Sequence, residues 1–248
     1  MFPIRDHNPS GRTPYVTYAL IVANIGVFLS YWSLFSDPYS LNLFYVNWAM
    51  IPAKIVYDSA YETLFTSMFL HGGWMHLAGN MLFLWVFGDN LEDEMGHLPY
   101  LAFYLSCGIG AGLVQLASEP YSLVPTVGAS GAIAGVMGGY LLLYPKAKVD
   151  ILIILIFIFR VVPIPAWLML GVWFVFQLFG GLSMQTGGGG VAYWAHAGGF
   201  VIGAVLTIPL LLRRGGIQFW KRTHGHPPHD ETRYAYARSH IPNVKRKR

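Results

Sequence analysis

The sequence predicts an all-α membrane protein built as a bundle of six transmembrane helices. Three observations carry that prediction. The chain of 248 residues is 54% hydrophobic and only 11% charged, whereas soluble domains run at about a quarter charged. A soluble fold so poor in charge would expose large apolar patches, and a bilayer removes that problem. Apolar stretches recur at lengths suited to a hydrocarbon core about 30 Å thick. Finally, fifteen of the sixteen Lys and Arg residues fall on one side of the bundle those stretches define.

The stretches run roughly Tyr15–Phe35, Met75–Phe87 with its flanks, Leu98–Ala117, Ser130–Tyr144, Ala166–Gly181 and Ala192–Leu212. A further run, Ile151–Phe159, is too short to cross and is followed by Arg160 and the Pro163-Ile164-Pro165 break. It is expected to be an interfacial or re-entrant piece leading into the fifth span. The chain then divides into a polar segment 1–14, a six-span domain 15–212 and a basic tail 213–248. Segment 1–14 has no apolar core, so no cleavable signal peptide is visible. The single cysteine, Cys107, excludes an internal disulfide and leaves the redox compartment unreadable.

Six spans put both termini on one side. That side holds Arg5, Arg12, Lys146, Lys148, Arg160 and all basic residues from Arg213 onward, whereas the other holds only Lys54. The positive-inside rule makes the termini cytoplasmic, in the cell membrane if the source is prokaryotic. Asp89, Glu92, Asp93 and Glu94 form an acidic second loop on the same side, but acidic residues weigh little in that rule. The tail, closing on Lys245-Arg246-Lys247-Arg248, reads as a disordered segment drawn to anionic headgroups. His224, His226 and His229 within it are metal-ligand types, but a solvated tail is the simpler reading. No metal or other cofactor and no nucleic-acid partner is expected; the lipid bilayer is.

Strongly polar residues inside spans are costly and usually functional. Four stand out here. His76 and Asn80 are one helical turn apart, on one face of the second span, and can donate hydrogen bonds toward one point; polar glue between helices is the plainer alternative. His71, in Leu70-His71-Gly72-Gly73, is read as shaping the entrance to that span. Ser130 lies in Gly128-Ala129-Ser130-Gly131 and opens the fourth span. That span is about 15 residues, or about 22 Å, so it is too short for the hydrocarbon core. Pro145 and the Lys146/Lys148 pair anchor its far end at the cytoplasmic face, so Ser130 is expected below the outer membrane surface. Irregular chain at that depth needs protein or a water-filled cavity around it, and hydrolysis needs the water. The helix N-terminus, with unpaired N–H groups, suits a developing oxyanion.

His196 is followed by Gly199 and Gly203 on its own face, and the fourth span offers Gly131, Gly135 and Gly139. Such small-residue ridges let backbones approach closely. Packed together, they would bring Ser130 and His196 within hydrogen-bond reach, where the imidazole can take the hydroxyl proton and return it to a leaving amine.

Three blocks together resemble the rhomboid intramembrane serine proteases: His71-Gly72-Gly73-Trp74-Met75-His76 with Asn80, Gly128-Ala129-Ser130-Gly131, and Ala195-His196 with Gly199 and Gly203. Their order and their placement in the second, fourth and sixth spans carry the resemblance, which covers roughly Tyr15 to Leu212. It implies a serine endopeptidase with Ser130 as nucleophile and His196 as general base, in a dyad without an aspartate. His76, Asn80 and the Ser130 N–H would form the oxyanion hole. Transmembrane protein substrates cut near their outer ends would be the partners. The fifth span, with Trp167, Trp173, Phe174 and Phe176, and the loop Gly187–Gly190 resemble the lateral gate and cap. Two positions depart from the family. Some relatives carry Trp-Arg in the first external loop where this chain has Glu62-Thr63, and some place a tyrosine under the histidine where this chain has Ala134. Something else must orient His196.

Other classes fit less well. An inactive relative would usually have lost Ser130 or His196. A transporter predicts charged pathway residues or paired broken helices. A metalloprotease needs His-Glu-x-x-His, and an aspartyl enzyme two buried aspartates; the spans hold neither.

Overall fold

A computed structural model describes residues 2–155, 158–183, 190–228 and 231–232. Among them are three strands, β1 (Phe2–Asp6), β2 (Lys148–Leu155) and β3 (Ile158–Pro165), and ten α-helices. The helices are α1 (Tyr15–Tyr31), α2 (Pro38–Trp48), α3 (Pro52–Asp58), α4 (Thr63–Thr66), α5 (Trp74–Met95), α6 (His97–Ser118), α7 (Ser130–Leu143), α8 (Ala166–Ser183), α9 (Tyr193–Arg213) and α10 (Ile217–Thr223). Among the described residues, four helical segments are long and apolar enough to cross a membrane: Tyr15–Ser36 (α1 and the 3-10 turns after it), α6, α8 and α9. The apolar α7 is shorter, at 14 residues. α5 has 22 residues but ends in Asp89, Glu92, Asp93 and Glu94.

α7 is the hub. Its sequence, Ser-Gly-Ala-Ile-Ala-Gly-Val-Met-Gly-Gly-Tyr-Leu-Leu-Leu, is apolar on every side, and nearly every residue is buried; a helix without a polar face belongs in a core. α5, α6 and α9 pack around it. Against α9 the approach is close enough to require glycine. A Cβ on Gly199 would collide with the Gly131 carbonyl, and one on Gly203 with the Gly135 carbonyl. Gly139 instead faces the Thr207 hydroxyl.

The fold is not all-α. β1, β2 and β3 form an antiparallel sheet in that order, and the described part of the run Ile151–Phe159 belongs to this sheet rather than to a re-entrant piece. Its β-branched Ile and Val favour extended chain. The prolines fit this topology: Pro3 sits in one edge strand, Pro163 and Pro165 in the other, and the central β2 has none. Segment 1–14 is therefore partly ordered, and Asp150 of β2 holds both Arg5 Nε (2.7 Å) and His7 Nε2 (2.8 Å).

Three further expectations change. Asp89, Glu92, Asp93 and Glu94 are not a loop but the last turns of α5. Glu92 accepts from Val16 N–H, Thr17 N–H and the Thr17 hydroxyl, each at 2.8 Å, and so supplies the cap that Pro14 cannot give α1. The tail does not begin disordered, because Ile217–Thr223 is helical with Phe219 buried. Trp220 donates its indole N–H to the Leu142 carbonyl (3.0 Å), one of the free carbonyls ending α7. The charge count hid the apolar Ile217, Phe219 and Trp220 in that tail. His229 and residues 233–248 lie outside the described residues. Finally, the chain between α1 and α5 is built from α2, α3 and α4 and is anchored without a Trp-Arg pair. Lys54 Nζ donates to the Val46 carbonyl (2.6 Å) and the Thr66 hydroxyl to the Trp48 carbonyl (2.7 Å).

Candidate active site

Ser130 is the first residue of α7. The irregular chain leading to it is stitched to the segment before α5 by backbone hydrogen bonds. Met50 and Thr126 exchange N–H···O bonds (3.1 and 2.8 Å), and Gly128 N–H donates to the Ser67 carbonyl (2.9 Å). These bonds satisfy the Thr126 N–H and carbonyl and the Gly128 N–H within the protein, as non-helical chain inside a membrane requires. Gly128 adopts φ +128°, and a Cβ there would also lie 2.8 Å from His76 Nε2. The position demands glycine on both counts.

The Ser130 hydroxyl lies 2.7 Å from His196 Nε2. The glycine contacts between α7 and α9 permit this, because they set the two helix starts side by side. The other ring nitrogen, His196 Nδ1, lies 2.9 Å from Gln177 Oε1 on α8. The Trp173 ring, one turn earlier on α8, has its centroid 5.9 Å from that of the imidazole. Position 134 is alanine rather than tyrosine, and His196 is held from the α8 side.

His76 and Asn80 sit on the first two turns of α5. Gly72 N–H donates to His76 Nδ1 (3.3 Å), which leaves the proton of the neutral ring on Nε2, facing Gly128. Asn80 Nδ2 would be 3.5 Å from a Cβ on Gly128. It donates one N–H to His71 Nε2 (2.9 Å), and its second N–H remains for the site. The donors therefore converge beside Gly128, two residues before Ser130. His71 is fully buried, and its backbone is pinned by Tyr31. The Tyr31 hydroxyl accepts from His71 N–H (2.6 Å) and donates to the His71 carbonyl (2.9 Å), which also accepts from Tyr45 (3.2 Å).

His76, Asn80, Gly128, Ser130 and His196 line one cavity of about 380 Å³, which also reaches Glu119 and Ser122. It is roomy and polar enough for ordered water. A nucleophile hydrogen-bonded to a base, beside converging N–H donors and water, can perform acyl transfer. No cluster of metal-ligating side chains occurs among the described residues.

The structure thus brings together all four polar span residues singled out in the sequence. Gly131, Gly199 and Gly203 lie at the α7–α9 contact, and Gly128 lies beside the donors. Of the expected cap, Gly187–Gly189 fall outside the described residues, and Gly190 lines the cavity. Two residues went unread. Gln177 is the one amide side chain in the apolar run of α8, so the rule that found His76 and Asn80 also points to it. The sequence gives His71 only the role of shaping the span entrance, and no spacing rule links it to Asn80, because the contact bridges a loop and a helix.

The arrangement is that of an integral membrane protein whose polar site is enclosed by apolar helices. A family profile for the Rhomboid domain matches residues 58–213, and the chain belongs to the rhomboid family. It is 33% identical over 152 residues to the Arabidopsis thaliana protein named Rhomboid-like protein 11, chloroplastic, covering 60% of this chain and 52% of that one. It is 30% identical over 203 residues to Rhomboid protein 1, mitochondrial, of Saccharomyces cerevisiae, covering 77% and 51%. Over 88 residues it is 41% identical to Rhomboid protease GluP of Bacillus subtilis, covering 36% and 17%. The chain spans 51–60% of the length of the first relatives it matches.

Proposed function

We propose that this chain is an intramembrane serine endopeptidase that hydrolyses peptide bonds in or near transmembrane segments of other membrane proteins. The observation that carries the reading is the 2.7 Å contact between the Ser130 hydroxyl and His196 Nε2 inside a cavity enclosed by apolar helices. His196 removes the hydroxyl proton as Ser130 Oγ attacks the scissile carbonyl. Charge develops on the carbonyl oxygen and is met by the N–H groups of His76, Asn80 and the Ser130 backbone. The tetrahedral intermediate collapses as His196 passes its proton to the leaving amine, leaving an acyl group on Ser130. Water from the cavity, deprotonated by His196, attacks that ester, and the acid product departs with the proton returned to Ser130.

In the topology that serves this chemistry, α1, α5, α6, α7, α8 and α9 are six spans with both termini on the basic, cytoplasmic side. α7, about 21 Å long by helical rise, holds Ser130 below the opposite surface. A substrate segment then reaches the site from the bilayer, past α8.

The test is cleavage of a model transmembrane substrate in liposomes, with fluorophosphonate labelling of Ser130. Ser130→Ala and His196→Ala are expected to abolish cleavage while inserting normally, and His196→Ala to abolish labelling. Full cleavage by Ser130→Ala would sink the mechanism.

A further inference from the structure

A Ser-His pair with no carboxylate leaves one requirement unmet. For His196 Nε2 to accept the Ser130 proton, the ring's own proton must sit on Nδ1. Nothing within the pair enforces that, because the serine hydroxyl can equally accept from an Nε2–H, and that tautomer leaves no base for the serine proton. We propose that Gln177 is the positioning residue that sets the tautomer and orientation of His196, an inference that rests on the protease reading of the same site.

The argument is one of donors and acceptors. An amide side chain has a donating end and an accepting end. Gln177 Nε2 lies 3.2 Å from the Trp173 carbonyl, one turn back on α8, and a carbonyl can only accept. The nitrogen is therefore the end turned to the helix backbone, and Oε1 is the end turned to His196 Nδ1 at 2.9 Å. An amide oxygen can only accept, so Nδ1 must donate. The lone pair of Nε2 is then directed at the Ser130 hydroxyl, 2.7 Å away. The chain of bonds runs Ser130 O–H to His196 Nε2, His196 Nδ1–H to Gln177 Oε1, and Gln177 N–H to the Trp173 carbonyl, with every donor matched to an acceptor. Gln177 is 7% exposed, so water does not compete for it. Trp173 contributes twice, its carbonyl fixing the amide and its ring lying beside the imidazole.

A side chain that merely glued α8 to α9 would show the same distances, so the test must read the histidine. The full-length protein in liposomes is compared with Gln177→Leu, which keeps volume and removes both ends of the amide, and Gln177→Glu, which keeps the acceptor. In Gln177→Leu, kcat and the fluorophosphonate labelling rate are expected to fall by about tenfold, the weight of one neutral hydrogen bond, with KM unchanged. Gln177→Glu recovers most of the rate. In ¹⁵N spectra His196 is the Nδ1–H tautomer in the wild type and a mixture in Gln177→Leu. If leucine prevents folding, Gln177→Met takes its place. Wild-type labelling by Gln177→Leu would overturn the proposal. So would an unchanged His196 tautomer, or equal losses in the Leu and Glu variants accompanied by a lowered melting temperature. The tautomer reading does not depend on turnover, so it stands apart from the Ser130→Ala test of the protease itself.

Discussion

The two ends of α5 carry polar residues of opposite kinds. At its start, His76 and Asn80 are uncharged and border a cavity, and each keeps an N–H group aimed at Gly128. At its end, Glu92 is charged and surrounded by partners, with Thr17 supplying two hydrogen bonds to Oε2, and Val16 N–H and His97 Nδ1 both lying on Oε1. Asp93 accepts from Gly11 N–H and Glu94 from the Tyr144 hydroxyl. One end leaves hydrogen-bonding capacity open toward a site, and the other consumes it in joining α1, α5 and α7. Burial alone therefore does not mark a functional polar residue. What marks it is a donor left free beside space for a ligand.

The largest effect should come from the open end. Asn80→Ala or His76→Ala is expected to lower the cleavage rate by about 10²–10³, the weight of an oxyanion donor, with little change in melting temperature. An unchanged rate for Asn80→Ala would remove it from the oxyanion hole. The closed end should behave in reverse. Glu92→Ala strands three donors and should cost about 2–4 kcal/mol of stability, read by unfolding in detergent, while the protein that remains folded cleaves at the normal rate. A smaller effect is expected at His71, which touches the site only through Asn80. His71→Phe should slow labelling of Ser130 by about threefold to tenfold, roughly one hydrogen bond, and a loss as large as that of Asn80→Ala would mean that His71 itself meets the substrate.

The last test concerns the sheet beside the closed end. Asp6 of β1 accepts from the Tyr140 hydroxyl (2.8 Å) and Asn90 Nδ2 (3.0 Å). Burial, with Asp89 nearby, pushes its carboxyl from 3.8 up to about 8. Because the folded state holds this proton more tightly than the unfolded chain, the stabilisation is complete below about pH 4 and is lost as pH rises toward 8. Asp6→Asn should flatten the fall in melting temperature across that window. A fall as steep as the wild type's would place its source in another group.

Much of this was legible in the sequence because a bilayer is a severe solvent. Every polar side chain in an apolar run must have a reason, so Ser130, His196, His76 and Asn80 could be picked out from their places and spacing in the spans, and the glycine spacing pointed to the α7–α9 contact. The sheet was hidden because an isoleucine run is equally compatible with an interfacial segment and with a strand, and only pairing with β1, far away in sequence, decides between them. The α10 helix was hidden by the charges around Phe219 and Trp220. Gln177 obeyed the rule that found the other four, yet its meaning depended on which end of the amide faces His196. Sequence by itself determined which residues could do chemistry in an apolar environment, because hydrophobicity is a property of each residue. Tertiary structure alone decided which hydrogen-bonding groups are consumed and which remain free, because that depends on partners brought from α1, α8 and the loop at His71.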